Sequence, residues 1–385
     1  MGWVTEIDGN FRLHSAVVEV MPAGTKVIEA EAWGTSAWTK TAKISTLLPD
    51  GTSKKYFVKC TTGKLAKIHM WGEAYSAGII AEAAPDFGPH PVGKGDYFDD
   101  LNNHVYFYLQ NYHDMDTQSP PDPAALAYSI AELHRNTASP NGMFGYPIVT
   151  GRGMVDREEH WDKSWAAQFT HLLKDLMRLD LITNGPWPEY DAAAKQLIDH
   201  VIPRQVFPSC LFSSPMSRHN AFIFTVPLLG VLQSDGREIK PVLCHGDLWE
   251  GNVATDIETG KIIIFDPDEC MYAHNEMEFA TWRCSWATHF NSPIYIMHYK
   301  SEIEPSEPVE EWDDRNRLYS IKTALCDSAG HRGSKSRMLA YNDMLFLCEK
   351  YAPLDTLEKY DPEKDISVTG ITEAYDVMAG TNAAP

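Results

Sequence analysis

The residues best suited to do chemistry in this 385-residue chain lie in the segment PVLCHGDLWEGNVATDIETGKIIIFD, residues 241–266. Asn252 follows Asp247 by five positions, and an apolar run ends at Asp266. This spacing is typical of a phosphoryl-transfer loop, where one aspartate accepts the proton of the attacking hydroxyl while an asparagine and a second aspartate hold Mg²⁺. Since hard cations prefer oxygen ligands, Asn252 and Asp266 are the candidate metal ligands. Asp247 is the candidate catalytic base.

A structural role is the alternative for these residues. Aspartate and asparagine are common in turns, where their side chains bond the local backbone. Asp247 alone fits that role as well as it fits catalysis. The whole set, with strand-like runs in the required places, favours phosphoryl transfer.

A site of this kind also needs a cation for the nucleotide phosphates, a partner for that cation, a covering loop and a hinge that meets adenine. Lys59 ends the strand-like run KYFVK, and Glu73 lies in the helix-like segment that follows. The tripeptide Gly34-Thr35-Ser36 is the candidate covering loop, although a single glycine fits an ordinary turn equally well. The candidate hinge spans residues 109–113 and contributes Gln110, Asn111 and Tyr112.

Two differently built parts of the chain must position these residues. Residues 1–112 contain short β-branched or aromatic runs at 17–20, 39–47, 55–59 and 105–109, a hairpin signal at Pro49-Asp50-Gly51 and one helix-like segment at about 64–84. Residues 113–385 are predicted to be mostly helical, with one β element over 252–256 and 261–265 and a loop over 203–238. One predicted helix begins at Pro123, and the others cover 156–181, 190–201, 276–290, 309–329 and 334–351. The fold class is therefore α+β, with a small strand-rich lobe and a large helical lobe.

The bulk properties exclude several classes of protein. The chain has 53 Asp+Glu against 33 Lys+Arg, a net charge of −20, which disfavours a nucleic-acid partner. Its apolar runs fall short of the ~20 residues of a membrane span, and the N-terminal residues lack the pattern of a secretory signal. Seven cysteines without CxxC pairs argue against a disulfide framework and a zinc site. We therefore expect a cytoplasmic globular protein with reduced thiols.

The motif LCHGDLWEGNVA, followed by IIIFDPDECMYAHNEMEFA, closely resembles the fructosamine kinase (ketosamine-3-kinase) family. The family pattern is H-G-D-L-W-x-G-N-V, then a strand that ends in F-D-P, then Y-G-H-x-E-x-(D/E)-L. The resemblance extends to FVK at Lys59 with the downstream Glu73, to ELH at 132–134 and to NGMFGYP at 141–147, so it spans most of the chain.

This resemblance implies a two-lobed, protein-kinase-like fold with a small antiparallel-sheet N-lobe and a large, mainly helical C-lobe. Residues 1–112 would then grip ATP, and residues 113–385 would carry the catalytic loop and bind the acceptor. It also implies transfer of the γ-phosphoryl group of ATP, with Mg²⁺, to a hydroxyl of a ketosamine. Asp247 would be the base, Asn252 and Asp266 the Mg²⁺ ligands, and Lys59 the phosphate-binding cation.

On the acceptor side the resemblance points to Trp249, which occupies the position of the family's loop tryptophan and either stacks on the substrate or packs under the loop. His245, in the same motif, is a further candidate. The chain departs from the family at Tyr272-Ala273-His274, where the family has Y-G-H, and at residues 325–331, where LCDSAGH replaces L-N-H-x-x-x-F-G. Asp327 in that segment would contact a cationic amine or remain a surface charge.

The charge of the chain is unevenly distributed. Residues 1–112 contain 12 acidic and 10 basic side chains, so nearly all of the net negative charge belongs to the predicted acceptor lobe. An acidic surface attracts cations over long distances. This asymmetry favours an amine-bearing acceptor.

Three functions remain open at this level. The first is a kinase of ketosamines, acting on glycated amines or proteins. The second is a small-molecule kinase that phosphorylates another amine-bearing hydroxyl compound, such as an amino sugar, an amino alcohol or a specialised metabolite. The third is a nucleotide-binding pseudokinase with an interaction role, which the intact Lys59, Asp247, Asn252 and Asp266 argue against. The acceptor, the phosphorylated position and the oligomeric state are left open.

Overall fold

The computed structural model describes residues 2–36, 38–152, 155–157, 160–202, 228–229 and 238–371. In these ranges the helices are α1 (Ser15–Glu19), α2 (Ala66–Ala83), α3 (Pro123–Asn136), α4 (Trp165–Asn184), α5 (Pro188–Gln196), α6 (Pro293–Glu302), α7 (Trp312–Gly330), α8 (Ser336–Tyr351) and α9 (Ile366–Thr369). The strands are β1 (Lys26–Ala32), β2 (Lys40–Leu47), β3 (Ser53–Thr62), β4 (Pro91–Phe98), β5 (His104–Asn111), β6 (Met115–Asp116), β7 (Phe144–Gly145), β8 (Thr150–Arg152), β9 (Val155–Arg157), β10 (Trp161–Asp162), β11 (Val242–Cys244), β12 (Val253–Asp256), β13 (Ile262–Ile264) and β14 (Met271–Ala273). Short 3₁₀ stretches cover Glu250–Asn252, Asn275–Arg283, Val309–Glu311 and Pro362–Lys364, and a π-helical turn, Leu197–Val201, follows α5.

Five antiparallel strands form the sheet of the N-lobe, in the order β1-β2-β3-β5-β4. β2 and β3 are joined by the predicted hairpin, in which Gly51 has a φ of +84° that glycine adopts without steric cost. Successive residues of β5 point to opposite faces of the sheet. Phe107 packs in the apolar core under the N-terminal residues and α1. Tyr108 packs against α2, so the sheet lies between these two layers.

Two parts of the N-lobe differ from the sequence prediction. The run 17–20, predicted to be a strand, falls largely in α1, where Val17 is buried and the ring Nδ1 of His14 accepts a hydrogen bond from the N–H of Ala16 at 3.2 Å. A run this short does not separate a strand from a buried helical turn. β4 was not predicted, because Pro91, Gly93 and Gly95 weaken strands and are tolerated here at a sheet edge.

The C-lobe is mainly helical. α7 packs against α4, α8 and the Asn275–Arg283 stretch, and α3 packs against α6. α7 is buried from Asp314 to Ala329, so it is the central helix of the lobe. Two small sheets accompany these helices, with strand orders β10-β7-β14-β11 and β13-β12-β6. The pairing of β6 with β12 ties the chain that leaves the N-lobe to the hairpin that ends near Asp266.

The C-lobe agrees with the predicted helices near α3, α5, α7 and α8, with corrections elsewhere. α4 begins at Trp165 rather than near 156, and its N-cap is Ser164, whose Oγ accepts a hydrogen bond from the N–H of Ala167 at 3.3 Å. The helix predicted over 276–290 is instead a 3₁₀ stretch that ends at Arg283, and α6 was not predicted. The predicted loop 203–238 lies outside the described residues apart from 228–229 and 238.

The predicted α+β class, with an antiparallel N-lobe and a mainly helical C-lobe, is confirmed. Among the helices of the described ranges, none combines the length and the apolar character that crossing a bilayer requires.

Candidate active site

Lys59 stands between two carboxylates. It lies near the end of β3, and its Nζ atom is 2.7 Å from Oε1 of Glu73 on α2. The same Nζ atom also contacts the carboxylate of Asp266, which follows β13 in the C-lobe. The side chains of Lys59 and Glu73 are buried, whereas that of Asp266 is 45% exposed. The structure thus brings together three of the predicted residues across the two lobes.

The electrostatics of this cluster favour a permanently charged lysine. Burial opposes protonation of Lys59, but the charges of Asp266 and Glu73 outweigh it and raise the pKa of the ammonium group. Burial raises the pKa of Glu73, and the nearby Asp266 adds to this effect while Lys59 opposes it. The result is a charged ammonium group that is held between two carboxylates.

Asp247 and Asn252 lie in the loop that follows β11. Nδ2 of Asn252 donates hydrogen bonds to the backbone oxygen of Asp247 at 2.9 Å and to its Oδ2 atom at 3.2 Å. The backbone oxygen of Asn252 accepts a hydrogen bond from the N–H of Phe265 at 3.1 Å. This bond joins the loop to the end of the β12–β13 hairpin, next to Asp266. The predicted base and both predicted metal ligands therefore lie on connected segments of the C-lobe.

His245 faces the interior of the protein rather than an acceptor. It is fully buried, its Nε2 atom lies 3.0 Å from the backbone oxygen of Phe265, and its Nδ1 atom lies 3.4 Å from the backbone nitrogen of Asp247. Burial lowers the pKa of its ring. The prediction that His245 contacts the substrate does not fit this geometry, because its ring links the two loops that carry Asp247 and Asp266.

Glu278 is a site residue to which the sequence interpretation assigned no role. Its carboxylate accepts hydrogen bonds from the backbone N–H groups of His245, at 2.8 Å, and Gly246, at 3.1 Å. Its Oε2 atom is also 3.3 Å from Nε2 of His134 on α3. His134 lies in the ELH motif and Glu278 in the Y-A-H-N-E-M-E segment. The sequence therefore marked both residues, but it did not indicate that they contact each other.

A second anchor holds the middle of the same loop. The backbone oxygen of Leu248 accepts hydrogen bonds from Oγ1 of Thr281 and Nε1 of Trp282, each at 2.7 Å. Both donors belong to the Asn275–Arg283 stretch. The Asn275–Arg283 stretch therefore holds the loop at a second point.

A cleft of about 990 Å³ opens beside these residues. Its walls include nine of the predicted residues: Lys59, Asp266, Trp249, Gly34, Thr35, Ser36, Gln110, Asn111 and Tyr112. Gly34 has a φ of +81°, so the candidate covering loop turns at that residue. Glu73 lies behind Lys59, while Asp247 and Asn252 are buried beside the cleft wall. Apart from Glu73, the candidate nucleotide-binding residues thus line one cleft.

The candidate hinge, residues 109–113, is held at both ends. The N–H of Asn111 donates to the oxygen of His90 at 2.9 Å within the N-lobe. On the C-lobe side, Nδ1 of His113 lies 2.7 Å from Oδ2 of Asp256. Burial opposes ionisation of Asp256, but hydrogen bonds from His113 and Thr259 outweigh it and lower the pKa of this carboxyl group.

Trp249 lies in the cleft wall with its ring over Gly251. A Cβ atom at position 251 would come within 2.3 Å of the Trp249 ring, so only glycine permits this packing. The position is compatible with both roles considered for the tryptophan, since the ring packs on the loop and also borders the cleft.

Asp327 does not present its carboxylate as a surface charge. It is buried near the end of α7, where Oδ2 accepts hydrogen bonds from the hydroxyls of Ser334, at 2.6 Å, and Ser336, at 2.7 Å, and Oδ1 lies 3.1 Å from Nδ1 of His331. Burial disfavours its charged form, but these partners outweigh that effect and lower its pKa. Asp327 therefore anchors the turn between α7 and α8, and this geometry does not fit the predicted contact with a substrate amine.

Comparison with known proteins shows which family this chain resembles in sequence. The sequence model described as fructosamine kinase matches residues 23–337. A chloroplastic protein-ribulosamine 3-kinase of Arabidopsis thaliana is 42% identical over 266 residues, which cover 69% of this chain and 68% of that protein. The protein of the same name from Oryza sativa subsp. indica is 29% identical over 269 residues, which cover 69% of this chain and 65% of the rice protein. This chain thus spans less than two thirds of its rice relative.

Solved structures support the same fold. A candidate fructosamine-3-kinase from Thermobifida fusca YX-ER1 superposes with a TM-score of 0.61 at 17% sequence identity, covering 87% of this chain and 98% of that one. At this identity the likeness concerns the fold alone. Together with the extent of the sequence match, these findings show that the chain belongs to the fructosamine kinase family.

Proposed function

We propose that this protein is an ATP-dependent kinase that phosphorylates a hydroxyl group of a ketosamine, a sugar joined to an amine through a ketoamine. One observation carries the proposal. A buried lysine with two carboxylate partners, Lys59, faces the same cleft as Asp266, and the bonded pair Asp247 and Asn252 lies on a segment tied to that aspartate. Phosphoryl transfer needs a cation, metal ligands and a base in this arrangement.

The residues present fit Mg²⁺ and the phosphates of ATP. Asp266 supplies a partly exposed carboxylate, and Asn252 supplies an amide oxygen, because the atom of its amide that bonds Asp247 is Nδ2. Carboxylate and amide oxygens are ligands that Mg²⁺ prefers. Mg²⁺ would neutralise charge on the phosphate oxygens. Lys59 would then bind the phosphates, with Glu73 holding its ammonium group in place.

Asp247 is the proposed base for the acceptor hydroxyl. A carboxylate can orient an attacking hydroxyl and accept its proton only when its own orientation is fixed. Asn252 fixes the side chain of Asp247 and its backbone oxygen together. Glu278 holds the backbone immediately before Asp247. The loop therefore presents one carboxylate in a defined orientation.

The proposed acceptor class rests on the family and on the cleft. The Arabidopsis and rice relatives are named protein-ribulosamine 3-kinases, so their names specify a sugar joined to a protein amine. In this chain Trp249 offers an aromatic surface at the cleft wall, against which a sugar ring can stack. The net negative charge of the chain favours an acceptor that carries an amine.

The proposal is tested by measuring ADP release from ATP and Mg²⁺ with defined acceptors. We expect turnover with fructosyl-lysine and ribulosyl-lysine, and little with an aminoglycoside or a simple amino alcohol. Phosphate transfer to the sugar is then identified by mass spectrometry, and loss of activity on chelation tests the metal requirement. Preferred turnover of the aminoglycoside or amino alcohol would assign the protein to the second class of kinase. ATP binding without turnover of any acceptor would favour a pseudokinase.

A further inference from the structure

A buried lysine on α7 contacts the loop that carries the proposed base. Nζ of Lys322 donates a hydrogen bond to the backbone oxygen of Gly246 at 3.0 Å, and the Lys322 side chain is only 3% exposed. The oxygen of Gly246 belongs to the peptide group that leads into Asp247. The N–H of that same peptide group lies 3.4 Å from Nδ1 of His245. The orientation of this peptide plane is therefore fixed at both its oxygen and its nitrogen.

Lys322 also contacts the segment that follows Asp266. Its Nζ atom forms a buried ion pair with the carboxylate of Glu269, three positions after Asp266 in the chain. Oε1 of Glu269 accepts a hydrogen bond from Sγ of Cys326, one turn further along α7, at 3.0 Å. One ammonium group thus joins the loop of the proposed base to the loop of a proposed metal ligand.

The backbone of Gly246 shows how closely these two loops approach. Gly246 has a φ of +83°, and a Cβ atom at this position would lie 2.4 Å from the backbone oxygen of Glu269. The two loops therefore touch at the point where Lys322 bonds both of them. A small shift of either loop would change the distance between the proposed base and the proposed metal ligand.

We propose that Lys322 and Glu269 form a positioning pair that sets the placement of Asp247 relative to Asp266. This proposal rests on the function proposed above. The contribution of a buried ion pair to folding stability does not by itself explain why charged residues occupy these two positions. Buried ion pairs are often no more stabilising than well-packed apolar residues of similar volume, whereas removal of one partner leaves an unpaired buried charge. An ammonium group differs from an apolar side chain because it can bond a backbone oxygen and a carboxylate at the same time.

The test uses the double variant Lys322→Met/Glu269→Met, which removes both charges together and so avoids an unpaired one. We expect kcat to fall by about 10²-fold, because a misplacement of about 1 Å in a catalytic group has effects of this size. The KM for ATP is expected to change much less than kcat, since neither Lys59 nor any other residue that lines the cleft is replaced. The single variant Lys322→Arg, in which Glu269 is intact, keeps a cationic donor and is expected to retain most of the wild-type kcat.

A readout that does not depend on activity is hydrogen–deuterium exchange of the peptide that covers residues 243–249. Loss of the Lys322 bond is expected to speed exchange of the Asp247 amide by about tenfold. The matched control is Asp314→Asn/Lys350→Met, which removes both members of a charged pair between α7 and α8 while Asn can still accept the hydrogen bond from the Tyr351 hydroxyl. This control is expected to leave kcat and exchange in residues 243–249 unchanged.

The outcomes separate this inference from the proposed function. Wild-type exchange and wild-type kcat in the Lys322→Met/Glu269→Met variant would overturn the positioning role. An equal loss of kcat in the Asp314→Asn/Lys350→Met control would also overturn it, because the effect would then reflect the helix as a whole. A wild-type protein that phosphorylates no acceptor contradicts the function, while the exchange measurement still decides whether Lys322 fixes the loop.

Discussion

Asn252 and Asp247 are joined by two hydrogen bonds from a single amide group. Nδ2 of Asn252 lies 2.9 Å from the backbone oxygen of Asp247 and 3.2 Å from its Oδ2 atom. Both residues are buried. The proposed metal ligand therefore also orients the proposed base, which links the two functions in one side chain.

Replacement of Asp247 by asparagine is expected to lower kcat by about 10³-fold, in the range of general-base catalysis. The side chain keeps its size but loses the carboxylate that would accept the proton. ATP binding, measured by calorimetry in the presence of Mg²⁺, is expected to change little. Asp86→Asn, at an exposed residue paired with Lys261, is the matched control. Turnover retained by Asp247→Asn would show that the base is a different residue.

Lys59→Met is expected to raise the KM for ATP and to lower stability. The variant leaves Glu73 buried beside Asp266 without its cation, and breaking a buried pair in this way costs about 3 kcal/mol or more. Lys59→Met/Glu73→Gln removes that unpaired charge. We therefore expect the double variant to recover much of the thermal stability while its KM for ATP remains high. Recovery of the KM together with stability would contradict a phosphate-binding role for Lys59.

Stability is expected to fall as the pH decreases from 6.5 towards 4. Burial lowers the pKa of His274 to about 4, whereas the ring titrates near 6.5 in the unfolded chain. Between these values the unfolded state binds more protons, so the free energy of unfolding rises with pH in this window. The contribution of this one ring is about 3 kcal/mol at most.

The comparison variant for this effect is His274→Gln, which retains polar atoms that can face Tyr319 and Ser306, the partners of the ring at 2.8 and 2.9 Å. Urea unfolding at a series of pH values should show a shallower loss of stability in the variant. Equal pH dependence in the two proteins would assign the acid sensitivity to other groups.

Gly246→Ala is expected to lower stability by more than the cost of a left-handed backbone at a non-glycine residue. A left-handed backbone costs a non-glycine residue about 1–2 kcal/mol, and the added methyl group would also meet the backbone oxygen of Glu269. Gly260→Ala isolates the first effect, because φ at Gly260 is +70° and no atom lies within 4 Å of the added Cβ. Thermal unfolding and kcat should both fall further in Gly246→Ala. Identical losses would show that the loop can move away from Glu269.

The sequence predicted the parts of this site that depend on local spacing. Asp247, Asn252 and Asp266 belong to one contiguous motif, and the strands on either side place them close together. The β2–β3 hairpin was predictable for the same reason, since its turn carries Pro49-Asp50-Gly51. The assignment of catalytic and metal-binding roles to these residues stays a prediction until the variants are measured.

Side-chain direction was not predictable from the motif. The sequence makes His245 a candidate substrate contact and Asp327 either an amine contact or a surface charge, but both side chains point into hydrogen-bond networks of the protein interior. Lys322 gave no signal at all, because its partner Glu269 is 53 residues away and a lysine on a helix is normally exposed. The cytoplasmic location also stays a prediction, since the plant relatives are named as chloroplastic.

The contact between Lys59 and Asp266 has a thermodynamic consequence for nucleotide binding. The ammonium group is already buried and already surrounded by anions before a nucleotide arrives. In the proposed function, binding of a phosphate at Lys59 would therefore exchange one anionic partner for another and would not be the first desolvation of this charge. The affinity would then depend on the difference in free energy between the phosphate contact and the carboxylate contact that it replaces. This exchange would weaken nucleotide binding relative to an unpaired cation and would assist the release of ADP.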